Sequence, residues 1–127
     1  MKIDHVAMYV ADLDKMKCFY ETYFSATANT LYHNPNTGLR TYFLSFTDGG
    51  RLEIMNKPGV VEHNREQMKM GLIHLAFSVG SETEVDRLTG NLQKDGYKVL
   101  SGPRRTGDGY YESCVLDPEG NQVEIVV

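Results

Sequence analysis

Apolar residues alternate with polar or small ones along 71–79, Gly-Leu-Ile-His-Leu-Ala-Phe-Ser-Val. A period of two predicts a strand, with Ile73, Leu75, Phe77 and Val79 on one face and Leu72, His74, Ala76 and Ser78 on the other. The same pattern opens the chain, where His5-Val6-Ala7-Met8-Tyr9-Val10 aligns with His74-Leu75-Ala76-Phe77-Ser78-Val79. A helical period follows each copy. Over 13–24, Leu13, Met16, Tyr20 and Phe24 recur at spacings of three and four behind the N-cap candidate Asp12. Over 82–94, Val85, Leu88 and Leu92 make the apolar stripe. There Ser81 and Glu84 form a capping-box pattern and Gly96 is a C′ stop.

Strand patterns resume after each helix. The first half has candidates at 27–32, 39–46 and 51–55, with a loop at 34–38 and a hairpin turn at Asp48-Gly49-Gly50. The second has 97–100, 110–116 and 122–127, with a loop at 101–109 and a turn at Asp117-Pro118-Glu119-Gly120. Both halves read strand-helix-strand-strand-strand and close on Glu-Ile, at Glu53-Ile54 and Glu124-Ile125. Forty-eight positions separate His5 from Glu53, and fifty separate His74 from Glu124. Such doubling is a fold-level signal. The modules are 1–57 and 71–127, joined by a polar linker, 58–70, with a helical segment around His63.

Composition narrows the function classes. A chain of 127 residues reads as one domain large enough for a sizeable core. A net charge of −4 gives no reason to expect nucleic acid, and no apolar run approaches a membrane span. The strand pattern begins almost at Met1, which leaves no room for a signal peptide. With two cysteines, Cys18 and Cys114, outside any CxxC pattern, the expected compartment is the cytoplasm. Both cysteines read as small core residues.

The duplicated positions carry the chemistry. His5, Glu53, His74 and Glu124 each lie on the face opposite the branched apolar row. A single strand histidine is more often a hydrogen-bonded structural residue, and a single strand glutamate usually faces solvent; repetition is what favours the ligand reading. If a pseudo-twofold axis relates the halves, all four converge on one point. Two imidazoles and two carboxylates suit Ni²⁺, Zn²⁺, Co²⁺, Mn²⁺ or Fe²⁺ rather than a cysteine-based structural zinc. Four such ligands leave an octahedral ion two positions for the oxygens of a small substrate. His33 and His63 have no counterpart in the other half and read as solvated.

The motifs His5-Val6-Ala7, Leu52-Glu53-Ile54, His74-Leu75-Ala76-Phe77, and Asp117-Pro118-Glu119-Gly120-Asn121 before Glu124-Ile125 span essentially the whole chain. They resemble the vicinal oxygen chelate superfamily: glyoxalase I, fosfomycin-resistance enzymes, bleomycin-resistance proteins and extradiol dioxygenases. The resemblance implies an α+β fold, in which two βαβββ modules form a curved eight-stranded mixed sheet, a half-barrel, around a metal. It also implies a homodimer and a small-molecule substrate, with the modules paired within a chain or between chains.

Within the superfamily the His/Glu/His/Glu set looks like glyoxalase I. Dioxygenases and fosfomycin enzymes lack an acidic ligand in the first half, and bleomycin-resistance proteins lack the ligands, so Glu53 discriminates. The implied activity is that of a lactoylglutathione lyase-like enzyme of detoxification. It isomerises the hemithioacetal of a 2-oxoaldehyde and a thiol to an S-2-hydroxyacyl thioester through a metal-stabilised enediolate. The implied metal is Ni²⁺ or Zn²⁺, with Co²⁺, Mn²⁺ and Fe²⁺ as further fits, and Glu124 is the base, with Glu53 second. Glutathione-using members grip the tripeptide with a first-strand arginine. His5 here is followed by Val-Ala-Met-Tyr-Val, which argues against glutathione. Arg40, Arg104 and Arg105 are the candidates for holding an anionic substrate, and Tyr110 or Tyr111 for lining the pocket. The alternatives are a fosfomycin-type thiol or water transferase and a non-catalytic small-molecule-binding module.

Overall fold

The computed structural model describes residues 1–47, 49–62, 64 and 70–127. Asp48 of the expected turn, and His63 with the segment 65–69 of the expected linker helix, lie outside the described residues. The chain divides into two compact units, Met1–Asn64 and Arg65–Val127. Each is α+β, an open mixed sheet with one helix among the described residues.

The first unit runs β1 (Val6–Tyr9), α1 (Leu13–Phe24), β2 (Thr27–Ala28), β3 (Tyr32–Asn34), β4 (Leu39–Ser45) and β5 (Arg51–Asn56). The sheet order is β1-β5-β4-β2, with β3 also on β4. β1 pairs parallel to β5, and the crossover such a pair needs runs through α1 and β2–β4. The Asp12 side chain accepts from Lys15 N at 2.9 Å and caps α1. Leu13, Met16, Phe19 and Tyr20 are buried in the unit with Leu44, Leu52 and Ile54 of the sheet. Phe19 lies between Met16 and Tyr20 and widens the stripe read from the sequence. Cys18, expected in the core, is exposed. At 3.6 residues per turn it stands about 200° from Met16, on the solvent side of the helix.

The candidate strand 27–32 is two short strands instead of one. Asn29 breaks it: its Oδ1 accepts from Phe43 N at 2.8 Å while its own N–H donates to Phe43 O at 3.1 Å. A side chain thereby occupies a ladder position that a backbone carbonyl would fill in a continuous strand.

The second unit runs β6 (His74–Ser78), α2 (Glu82–Lys94), β7 (Val99–Arg105), β8 (Tyr111–Leu116) and β9 (Gln122–Val126), in the order β6-β9-β8-β7. Its parallel pair is β6 with β9. Ser81 caps α2 by accepting from Glu84 N at 3.2 Å. Half of the capping box is missing, because the Glu84 carboxylate takes Arg87 at 2.6 Å. Tyr97 N bonds Leu92 O at 2.9 Å across Gly96, whose φ of +91° makes the Schellman stop. Val85, Leu88, Leu92, Val115, Val123 and Ile125 form this unit's core.

A turn precedes β9, and a bend interrupts another strand of this sheet. Asp117 is buried, and its Oδ1 accepts from Glu119 N at 2.9 Å and Asn121 N at 2.8 Å. Its Oδ2 accepts from Asn121 Nδ2 at 2.7 Å. That network explains why the turn before β9 needs Asp at its start and Asn at its end. The bend is in β7, which extends through residues expected as loop. It bends at Gly102, where φ is +79° and an added Cβ would lie 2.5 Å from Glu112 O. Only glycine fits there.

Candidate functional site

In the first unit the parallel ladder puts Ala7 opposite Glu53. His5, two positions before Ala7 and just ahead of β1, therefore reaches the same face. His5 Nε2 stands 3.7 Å from Glu53 Oε2. On the other side of Glu53, Phe43 is its antiparallel partner. The Phe43 ring meets His5 edge-on, with centroids 5.3 Å apart and an interplanar angle of 83°. Arg51, two positions before Glu53 on the same face, lays its guanidinium 4.8 Å over the Phe43 ring. Arg51 pairs closely with Asp4, and Asp4 Oδ2 lies 2.9 Å from His5 Nδ1. The hydrogen bond from His5, then the Arg51 guanidinium, holds the Asp4 carboxyl below the usual carboxylate range.

The second unit repeats the framework. Ala76 is the ladder partner of Glu124, and His74 is two positions before Ala76. His74 Nε2 stands 3.2 Å from Glu124 Oε2. The antiparallel partner of Glu124 is Cys114, in the place that Phe43 takes in the first unit. The Cys114 thiol approaches Gln122 Oε1 at 3.8 Å. Burial, then the charges of Glu124 and Glu112, push that thiol above its ordinary range.

Both couples leave the two nitrogen–oxygen pairs close but without a hydrogen bond between them. Ligands about 2.0–2.2 Å from a shared ion lie about 3.0 to 3.4 Å apart; the His74–Glu124 separation of 3.2 Å falls in that range, and the His5–Glu53 separation of 3.7 Å is wider than it. Among the described residues no group of three or more His, Cys, Asp or Glu side chains forms a metal site by itself. The donor chemistry fits a divalent ion couple by couple: one imidazole nitrogen and one carboxylate oxygen each.

The other candidates separate by face. Arg40 shares a face with Tyr42 and Leu44, opposite to Phe43 and Glu53; Tyr42 reaches Asp14 of α1 at 3.3 Å. Arg105 pairs with Glu82 in the first turn of α2. Arg104 remains on the Glu124 side, 3.7 Å from Glu112, which alternates with Cys114 along β8. Tyr111 donates to Asp86 of α2 at 2.8 Å and is turned from that face, and this bond raises its pKa. Tyr110 precedes β8 and is exposed. Tyr111 therefore does not line the carboxylate face. Asn56 donates to Val10 O at 2.8 Å and Ala11 O at 3.1 Å, which ties β5 to the start of the crossover. His33 is exposed in β3. Sequence reasoning passed over Asp4, Phe43 and Arg51. The alternation of Arg51 with Glu53 was the available signal.

No helix among the described residues is long and apolar enough to cross a membrane. The chain is 28% identical over 130 residues to the protein YqjT of Bacillus subtilis (strain 168), covering 96% of this chain and 95% of that protein. Its fold is similar to that of a glyoxalase family protein from Enterococcus faecalis, with a TM-score of 0.81, 24% identity, and coverage of 99% and 97%. It is also similar to glyoxalase I from Zea mays, with a TM-score of 0.81, 22% identity, and coverage of 98% of this chain and 44% of that one. The family profile matches residues 2–125, through both histidine–glutamate couples and the Asp117 turn. The chain belongs to the Glyoxalase/Bleomycin resistance protein/Dioxygenase superfamily.

Proposed function

We propose that this chain is a metal-dependent enzyme of the glyoxalase I type. It isomerises the hemithioacetal of a 2-oxoaldehyde and a thiol to an S-2-hydroxyacyl thioester. The observation that carries the reading is the presence of a glutamate at 3.7 Å from His5 as well as at 3.2 Å from His74. A superfamily member with three protein ligands has no need of Glu53.

His5, Glu53, His74 and Glu124 are the proposed ligands of the divalent ion, nickel or zinc first, then cobalt, manganese or iron. When bound, the ion supplies Lewis acidity to the two adjacent substrate oxygens, which makes the C1 proton removable by a carboxylate. Glu124 is the proposed base that takes the proton from C1 and returns it to C2, with Glu53 as the second candidate. The C1 hydroxyl proton ends on the C2 oxygen, so C1 is oxidised, C2 is reduced, and no external redox partner is consumed. Ala76 leaves open the space beside Glu124, and Cys114 shields its other side. Arg104 is the arginine still available to an anionic thiol, in competition with Glu112. The acting assembly is proposed to be a homodimer working on a small molecule.

The test is elemental analysis of the purified protein, followed by turnover of methylglyoxal hemithioacetals of several thiols after reconstitution with nickel or zinc. Thioester formation with at least one thiol is expected. Metal-loaded protein that converts none of them, or that instead turns over fosfomycin, overturns the reading.

A further inference from the structure

The two units share the histidine–glutamate couple but differ around it. In the first, Asp4 precedes the histidine and Arg51 stands two positions before the glutamate. In the second, the same positions hold Ile73 and Gln122. Asp4 Oδ2 accepts both from His5 Nδ1 at 2.9 Å and from Arg51. Arg51 is in turn stacked on Phe43, the ring that His5 meets edge-on. Three groups are thus held around one aromatic platform. Among the described residues, no carboxylate stands beside His74 Nδ1; its carboxylate contact is through Nε2.

An ionised carboxylate accepts and cannot donate. With Asp4 between a guanidinium and the imidazole, the hydrogen of a neutral His5 must sit on Nδ1. The nitrogen that faces Glu53 is then Nε2 with its lone pair free. A histidine that ligates a metal commonly has its second nitrogen fixed by a carboxylate in this way. His74 lacks such a device, and a proton on its Nε2 would oppose ligation through that atom.

We propose that Asp4, clamped by Arg51, is a positioning residue that locks His5 as the Nδ1–H tautomer and presents Nε2 to the metal, so that the two histidines of the duplicated site are unequally prepared. The metal part of this inference rests on the functional reading above. The tautomer part does not.

The experiment is ¹⁵N imidazole NMR of the metal-free protein above the histidine titration range, with Asp4→Ala and Asp4→Glu alongside. Wild-type His5 is expected as Nδ1–H. In Asp4→Ala the His5 population moves toward Nε2–H, the His74 signals stay unchanged, and Asp4→Glu returns part of the Nδ1–H form. Zinc affinity, measured by competition with a chromophoric chelator, is expected to fall about 10–100-fold in Asp4→Ala. A wild-type His5 that is mainly Nε2–H, or a tautomer ratio indifferent to Asp4→Ala, overturns the proposal. Wild-type protein that binds no zinc but shows the expected tautomers instead strikes the functional reading alone.

Discussion

Ala76 of β6 stands directly across the parallel ladder from Glu124 of β9. The first unit has the same relationship between Ala7 and Glu53. A methyl group beside each carboxylate leaves that face of the sheet open, while the opposite face, with Val123 and Ile125, is fully packed. Ala76→Leu should therefore fill the space beside Glu124 and leave the core untouched. Unfolding free energy is expected to change by no more than about 0.5 kcal/mol, as at other exposed positions. Turnover of the best hemithioacetal is expected to fall about 10²-fold, the scale of a 1 Å misplacement at a reacting centre. Urea denaturation beside initial rates separates the two effects.

The carboxylates themselves should divide by role. Glu124→Gln keeps the shape and removes the basicity, and kcat is expected to fall about 10²- to 10⁴-fold, the range for a positioned acid–base group. Glu53→Gln is expected to lower metal affinity at least about tenfold, with a smaller loss of kcat in metal-saturated protein. Equal losses of kcat for the two variants at saturating metal would reassign the base.

Thr89 of α2 and Ser113 of β8 share a buried hydrogen bond of 2.6 Å. The Thr89 hydroxyl proton goes to Val85 O, also at 2.6 Å, so the Ser113 hydroxyl donates to Thr89. Thr89→Val strands the Ser113 hydroxyl and should cost about 1–3 kcal/mol. Adding Ser113→Ala removes the stranded group, so the double variant should lose less than the two single losses combined. Chemical denaturation of the three variants gives the coupling.

Gly102→Ala meets two obstacles, a φ of +79° and a clash at 2.5 Å with Glu112 O. Left-handed backbone at a non-glycine residue alone costs about 1–3 kcal/mol. The variant should be destabilised by at least that amount, and the Arg104–Glu112 pair should shift with the strand. Thermal unfolding measures the first effect and amide shifts along β8 the second.

The cysteines should react in order. Cys18 is exposed on α1, whereas Cys114 is buried and its thiol is pushed up in pKa by that burial. A raised pKa means less thiolate at any pH below it, and thiolate is the reactive form. Iodoacetamide at neutral pH should label Cys18 first in metal-free protein, and Cys114 should gain on it as the pH rises. Peptide mass mapping over time reads both sites.

Much of the fold was legible because its signals are local. Period two in 71–79, the stripe Leu13-Met16-Tyr20 and the caps Asp12 and Ser81 all act within a few residues; both helices formed as read, and the strand read over 71–79 formed at His74–Ser78. The errors came where a tertiary contact outbid a local pattern. Asn29 took a ladder hydrogen bond from Phe43 and split a strand, and Glu84 chose Arg87 over the capping box.

The sequence by itself determined the doubling, the strand and helix periods, and which face of each strand carries histidine and glutamate, because those follow from the alternation of side chains along one extended segment. Only the tertiary structure decided which groups surround them. Asp4 and Arg51 are 47 positions apart, and the register of β1 on β5, with Val6 opposite Leu52, is what brings them into contact. The same holds for Arg105 turning to Glu82, and for Phe43 and Cys114 taking equivalent places beside the two carboxylates. Lateral register is set by the packing of whole sheets and helices, and no short window of the chain contains it.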